Sequence, residues 1–216
     1  MPDKDKGKDK TDAVLAEKIA QVKAQAGQDM DIAFDAAEYA PKFQEWIDSY
    51  ERDVALFKEI LSAETAPPQL RRLMAGGLMY MIRQFDLIPD QYQPVGTIDD
   101  TIVLRVIADL SAEWTSELED PRHMKALFKL ANQNETTKSF LGDEDYRTLE
   151  NYVRTQPEKA THGITGDAAI SSAQTRKELL FQVDEELKHF QAPAIEDAPR
   201  VERELKSYLR TKLTKK

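Results

Sequence analysis

Residues 69–84 place the tightest limit on what this chain can fold into, because their apolar side chains fall on nearly every side of a helix. The run Leu73-Met-Ala-Gly-Gly-Leu-Met-Tyr-Met-Ile82 carries no charge, and a helix with no polar face belongs in the middle of a core. It covers about half of the roughly 20 residues that a helix needs to cross a bilayer. Pro67-Pro68 opens the helix, since proline is tolerated in a first turn. Gly76-Gly77 in its interior lowers helix stability, so the pair predicts a close approach by another helix, where a side chain would clash. Residues 85–97, with Pro89, Pro94 and Gly96, read as a turn-rich connection. Thr97-Ile-Asp-Asp100 then predicts a capping-box-like helix start. Ile98, Ile102, Val103, Val106, Ile107, Leu110 and Trp114 supply the buried stripe of that helix. Residues 70–118 are thus expected to form an apolar helix–turn–helix hairpin.

The flanks are helical as well. Phe43, Trp46, Ile47, Tyr50, Val54, Phe57, Ile60 and Leu61 recur at three- and four-residue steps, which puts them on one face of a long helix. Such an aromatic stripe is core more often than a partner groove or dimer seam. Leu15, Ile19, Val22 and Ala26 predict an earlier helix from Asp12. Pro121 begins a shorter one with Met124, Leu127, Phe128 and Ala131, and residues 143–154 predict another. Leu179, Leu180, Val183, Leu187 and Phe190 make one helix; Val201, Leu205, Tyr208, Leu209 and Leu213 make a last, basic one. No run alternates as a strand would. The expectation is an all-α fold: a helical bundle around the central hairpin, with N- and C-terminal flanking helices. Its parts are a disordered tail at 1–11, a helical domain at 12–154, a linker or exposed loop at 155–173, and a C-terminal helical segment at 174–216.

Composition narrows the function. A net charge of −9 argues against general nucleic-acid binding, which draws its affinity from cations facing phosphates. The absence of cysteine removes disulfides, thiolate catalysis and zinc–thiolate sites. The N-terminus is not followed by the apolar run of a secretory signal, so a cytoplasmic protein without a transmembrane segment is expected. His123, His162 and His189 stand apart and match no metal-spaced set. Nucleophile elbow, phosphate loop, dinucleotide turn and EF-hand are all missing.

One constellation carries possible chemistry. Asp86, Asp90, Asp99 and Asp100 bracket the proline-rich turn, and an antiparallel hairpin brings all four to one end. Clustered carboxylates raise one another's pKa unless a cation compensates, and a hard ion such as Mg²⁺ or Ca²⁺ suits an oxygen-rich site. A structural account competes. Asp99 and Asp100 in a first helical turn would satisfy free N–H groups. Asp86 and Asp90 would close turns, and Arg71, Arg72 or Arg83 would neutralise the remainder. Since caps and turns account for every position, the structural account takes precedence, and no cofactor is expected.

The first functional expectation is therefore a non-catalytic interaction or scaffold protein with a protein partner. Its candidate contact surface is the C-terminal helix, through Arg203, Lys206, Tyr208, Arg210 and Lys212. The alternative is a divalent-metal-binding regulator or hydrolase using the four aspartates. A third is peripheral binding to an anionic membrane through the same basic helix, helped by Lys215 and Lys216.

Tyr80, Phe85-Asp-Leu-Ile-Pro-Asp90, Pro94-Val-Gly96 and Ile98-Asp-Asp100 together resemble the YkvA-like family, a bacterial helical domain of unknown function. The resemblance covers residues 70–110. It implies a small helical hairpin whose turn, with Tyr80, Pro89, Pro94, Gly96 and Thr97, is the most characteristic part, and it implies no activity. Similar domains are often attached to membrane segments or RING modules. This chain departs from the pattern: Arg83-Gln84 replaces a small residue and proline, and Arg105 and Asp109 interrupt the second helix, which speaks against a membrane-embedded hairpin.

Overall fold

The computed structural model describes residues 37–83 and 86–214. The expected tail at 1–11, the expected helix from Asp12, Phe85 of the turn motif, and Lys215 and Lys216 lie outside the described residues.

Helix α1 (Ala40–Ser62) has Pro41 in its first turn and buries the entire predicted stripe from Phe43 to Leu61. Its partner is α2 (Pro68–Met81), which is buried on nearly every side, as a helix lacking a polar face must be. The two glycines of α2 do what their cost in helix stability implies. A Cβ on Gly77 would lie 2.9 Å from the Phe57 ring of α1 and 2.9 Å from Ile107 Cδ1. A Cβ on Gly76 would lie 2.7 Å from Pro157 Cγ. Helix α3 (Val95–Leu110) completes the hairpin and is buried from Val95 through Ala108.

A short α4 (Ala112–Thr115) leads to α5 (Pro121–Leu141), started by Asp120, whose side chain accepts the Arg122 N–H. The sequence predicts a shorter helix here. It runs on instead because Leu130, Asn134, Thr137 and Phe140 continue the buried face, while Phe128 points partly to solvent. Gly142, at φ 82°, ends it in a conformation that side chains disfavour, and α6 (Asp143–Arg154) follows.

Residues 155–173 depart from the expected linker. They contain a 3₁₀ turn (Gln156–Glu158) and α7 (Gly166–Ser171), both packed on α2, and they bury Gln156, Thr161, Ile164 and Ala169. Few apolar residues are needed, because Pro157 fits the space left by Gly76, and Arg83 bonds to Gln156 at 2.6 Å and Thr161 at 2.8 Å. Helix α8 (Ala173–Leu187) ends before Phe190, which packs from the following loop onto Tyr50. Helix α9 (Ala198–Leu213) buries Val201, Leu205, Leu209 and Leu213, and Glu202 reaches across to accept the backbone N–H groups of Tyr39 and Ala40. Residues from Tyr39 onward therefore form one unit, all-α, with α2 and α3 at its centre. Among the described residues, no helix is long and apolar enough to cross a membrane.

Candidate functional site

The turn between α2 and α3 is fixed from below by one carboxylate. Tyr80 donates its hydroxyl to Asp99 Oδ2 at 2.6 Å and accepts the Leu87 N–H at 3.1 Å. Ile88 donates its N–H to the same Asp99 oxygen at 3.1 Å, so Leu87 and Ile88 are held in the core. Gly96 closes the turn from the other side: a Cβ there would lie 2.9 Å from Asp90 Cα and 3.0 Å from Pro89 O. Thr97 is buried and donates to the Gln93 side chain, which itself donates to the Asp90 carbonyl. Pro94 stands at the N-cap of α3 behind a cis peptide bond.

Helix α3 therefore begins at Val95, before the expected start, and its first turn holds no acidic residue. Asp99 and Asp100 sit a turn deeper and are buried, so neither caps the helix. Sequence reading took Gly96 for a loop residue, whereas its role is to let the helix pass the turn at contact distance. The other parts of the structural account also change. Neither oxygen of Asp86 is bonded by another described residue, and only its own backbone N–H draws on the carboxylate locally, so that side chain does not tie the turn to its neighbours. Of the three arginines expected to neutralise the cluster, Arg71 bonds the Leu61 carbonyl and Arg72 pairs with Asp167, while Arg83 bonds the neutral Gln156 and Thr161 and still favours the ionised Asp86 through its charge.

What remains is a triplet. Asp86, Asp90 and Asp100 each offer a carboxylate oxygen, and the three lie within 4.8 Å of one another. Asp99 is spent on the turn. Asp86 and Asp100 are buried and Asp90 is half-buried; Asp100 Oδ2 accepts the Tyr50 hydroxyl at 2.9 Å, while its Oδ1 is buried without a partner. Burial, then the nearby Asp90, pushes the Asp86 carboxyl up to about 7, against the opposing pull of its own backbone N–H, Arg83 and Lys212. Burial and then the Glu186 carboxylate raise Asp90. Burial, with Asp90 and Asp86, holds Asp100 well above the ordinary carboxylate range. Oxygens on opposite sides of a Ca²⁺ stand about 5 Å apart, twice a Ca–O bond of ~2.3–2.6 Å, so one ion can reach all three. A cavity of about 310 Å³ adjoins Asp90 and Asp100, lined also by Tyr50, Glu186, His189 and Phe190.

Sequence reading missed Tyr50, Glu186 and His189. Tyr50 reads as one more member of a core stripe, and nothing in one sequence links residues 50 and 186 to a turn at 86–100. Of the C-terminal residues, Arg210 pairs with Asp145 at 2.5 Å, Lys206 lies 5.5 Å from the Phe140 ring, and Tyr208 packs 5.7 Å from Tyr92. Lys212 acts electrostatically on Asp86, and Arg203 is exposed.

No curated protein and no solved structure matches the chain. Residues 71–105, which comprise most of α2, the whole turn and the first part of α3, match the model of a family described as a protein of unknown function, DUF1232.

Proposed function

We propose that this protein is a divalent-cation-binding helical module, with Asp86, Asp90 and Asp100 as the ligands and Asp99, Tyr80 and Gly96 as the residues that hold them in place. The observation that carries the reading is the Asp86 carboxylate, buried with neither oxygen bonded by another described residue, beside two further carboxylates and, among the described residues, no cation in ion-pair contact. Buried polar groups are as a rule partnered, and two buried carboxylates with a half-buried third beside them are costly unless an ion or protons offset them. A hard ion supplies that offset with the oxygen ligands it prefers. Three protein oxygens leave further positions for water, so hydrolysis is the chemistry to screen once binding is measured. The interaction surface expected on α9 has less behind it, because most of its basic and aromatic residues already contact the body of the protein.

Thermal melting with Mg²⁺, Mn²⁺ and Ca²⁺ against chelator tests the reading. An ion at a hundred times its dissociation constant contributes about 2.7 kcal/mol, which for a domain of this size raises Tm by roughly 5–10 °C. Asp86→Asn combined with Asp100→Asn removes the shift. A Tm that no ion moves at millimolar concentration would reject the site.

A further inference from the structure

The cavity next to the triplet has a lining that one metal ion does not use. Glu186, at the end of α8, lines it but lies outside the group of carboxylates that can share an ion. Of its remaining walls, half are polar (Gln93, Thr97, His189 and Gln191) and half are apolar or aromatic: Met81, Leu187, and the Tyr50 and Phe190 rings, whose centroids stand 4.9 Å apart. No lysine or arginine lines it. A volume of about 310 Å³ stands at the low end of the ~300–1,000 Å³ typical of small-molecule sites. Asp100, only 4% exposed, lines this space and has one buried oxygen, Oδ1, without a hydrogen-bond partner.

We propose that this cavity binds a small aliphatic amine, with its ammonium groups on Asp90, Asp100 and Glu186 and its methylenes against Tyr50, Phe190 and Met81. Charge decides against an anion, since neither lysine nor arginine stands among the lining side chains. Size and lining decide against a bare ion as the sole occupant, because aromatic and apolar walls contribute only to a ligand that carries hydrocarbon. Ammonium groups gain from carboxylates through charge-assisted hydrogen bonds and from ring faces through cation–π attraction. The inference goes beyond the cation reading and does not depend on it. Because Asp90 and Asp100 serve both ligands, amine and metal compete where both bind.

Calorimetric titration of the full chain with diaminobutane tests this, in chelator and at constant ionic strength, with butanediol as the uncharged analogue. Diaminobutane binds and butanediol does not. Glu186→Gln weakens the amine about tenfold or more, as expected for loss of a hydrogen bond to a charged group, while the Mn²⁺ melting shift stays in place. Asp100→Asn weakens both ligands. No heat from diaminobutane, equal binding of butanediol, or an affinity unchanged by Glu186→Gln would each overturn the proposal. If Mn²⁺ binds and the amine does not, only the amine site falls; if the amine binds and no metal does, only the metal reading falls.

Discussion

Helix α3 carries two clusters of buried charge, a turn and a half apart, and they are built on opposite plans. At Arg105 the charge is balanced. The fully buried guanidinium bonds Asp53 at 3.1 Å and the Thr101 carbonyl at 2.9 Å, and it lies 4.2 Å from the Trp46 ring centroid. Ser49 donates to the same Asp53 oxygen at 2.7 Å. At Asp100 the charged neighbours are carboxylates, and among the described residues the one hydrogen bond to the side chain comes from Tyr50. The first cluster joins α1 to α3 and pairs opposite charges within the chain, although Arg105 Nε is left without a hydrogen-bond partner. The second lacks the counter-charge that the first possesses. Both belong to one well-packed core, so the difference is not one of loose packing, and the proposed cation would supply the counter-charge that the acidic cluster lacks.

The largest expected effect breaks the balanced cluster. Asp53→Ala leaves Arg105 buried without its partner, and breaking a buried ion pair from one side costs about 3–5 kcal/mol. Urea denaturation would show this as a lower midpoint at constant slope. A loss below ~1 kcal/mol would mean that Arg105 reaches water in the folded state, and the contrast between the clusters would dissolve. The same substitution should leave the cation-induced melting shift intact, since Asp53 lies on the other side of α3's charge pattern and touches none of the triplet.

Gly96→Ala acts at the acidic cluster with a smaller cost. The new methyl would have to displace the Asp90 and Pro89 backbone, and forcing extra volume into a packed site costs about 1–3 kcal/mol. Because the displaced residue is one of the proposed ligands, cation binding should weaken more than stability falls. Measured together, the melt in chelator and the shift with Mn²⁺ separate the two effects. Equal affinity in the variant would show that Asp90 is not a ligand.

Much of this architecture was legible beforehand, for physical reasons that also explain the gaps. The α1 stripe and the all-round apolar α2 are patterns of period and composition, and burial followed them residue by residue. Gly76-Gly77 announced a close approach but could not name Pro157, which sits in a segment too polar to suggest packing. The four aspartates were visible as a cluster; the difference between Asp99, which bonds the turn, and Asp100, which does not, depends on where α3 starts. That start is set by the contact of Gly96 with Pro89 and Asp90, a fact of three dimensions. Tyr50 and Glu186 reach the site only through the packing of α1 and α8.

The smallest expected effect is also the one whose sign is most diagnostic. The carboxyl of Asp86 is raised to about 7 by burial and by Asp90, and Asp90, Asp99 and Asp100 are raised as well, each by burial first. A carboxyl in the unfolded chain titrates near ~3.9, so between that value and about 7 the folded state holds more protons than the unfolded one. Stability must then fall as pH rises through that window, the reverse of what salt-bridged carboxylates give. In chelator, Tm should decline from roughly pH 5 to pH 8, and Asp86→Asn should flatten part of the decline. With a saturating divalent ion the slope should reverse, because the ion replaces the protons and binds more tightly as they leave. If the chelated protein instead gained stability with rising pH, the acidic cluster would already be balanced within the chain, and the two clusters would not differ in kind.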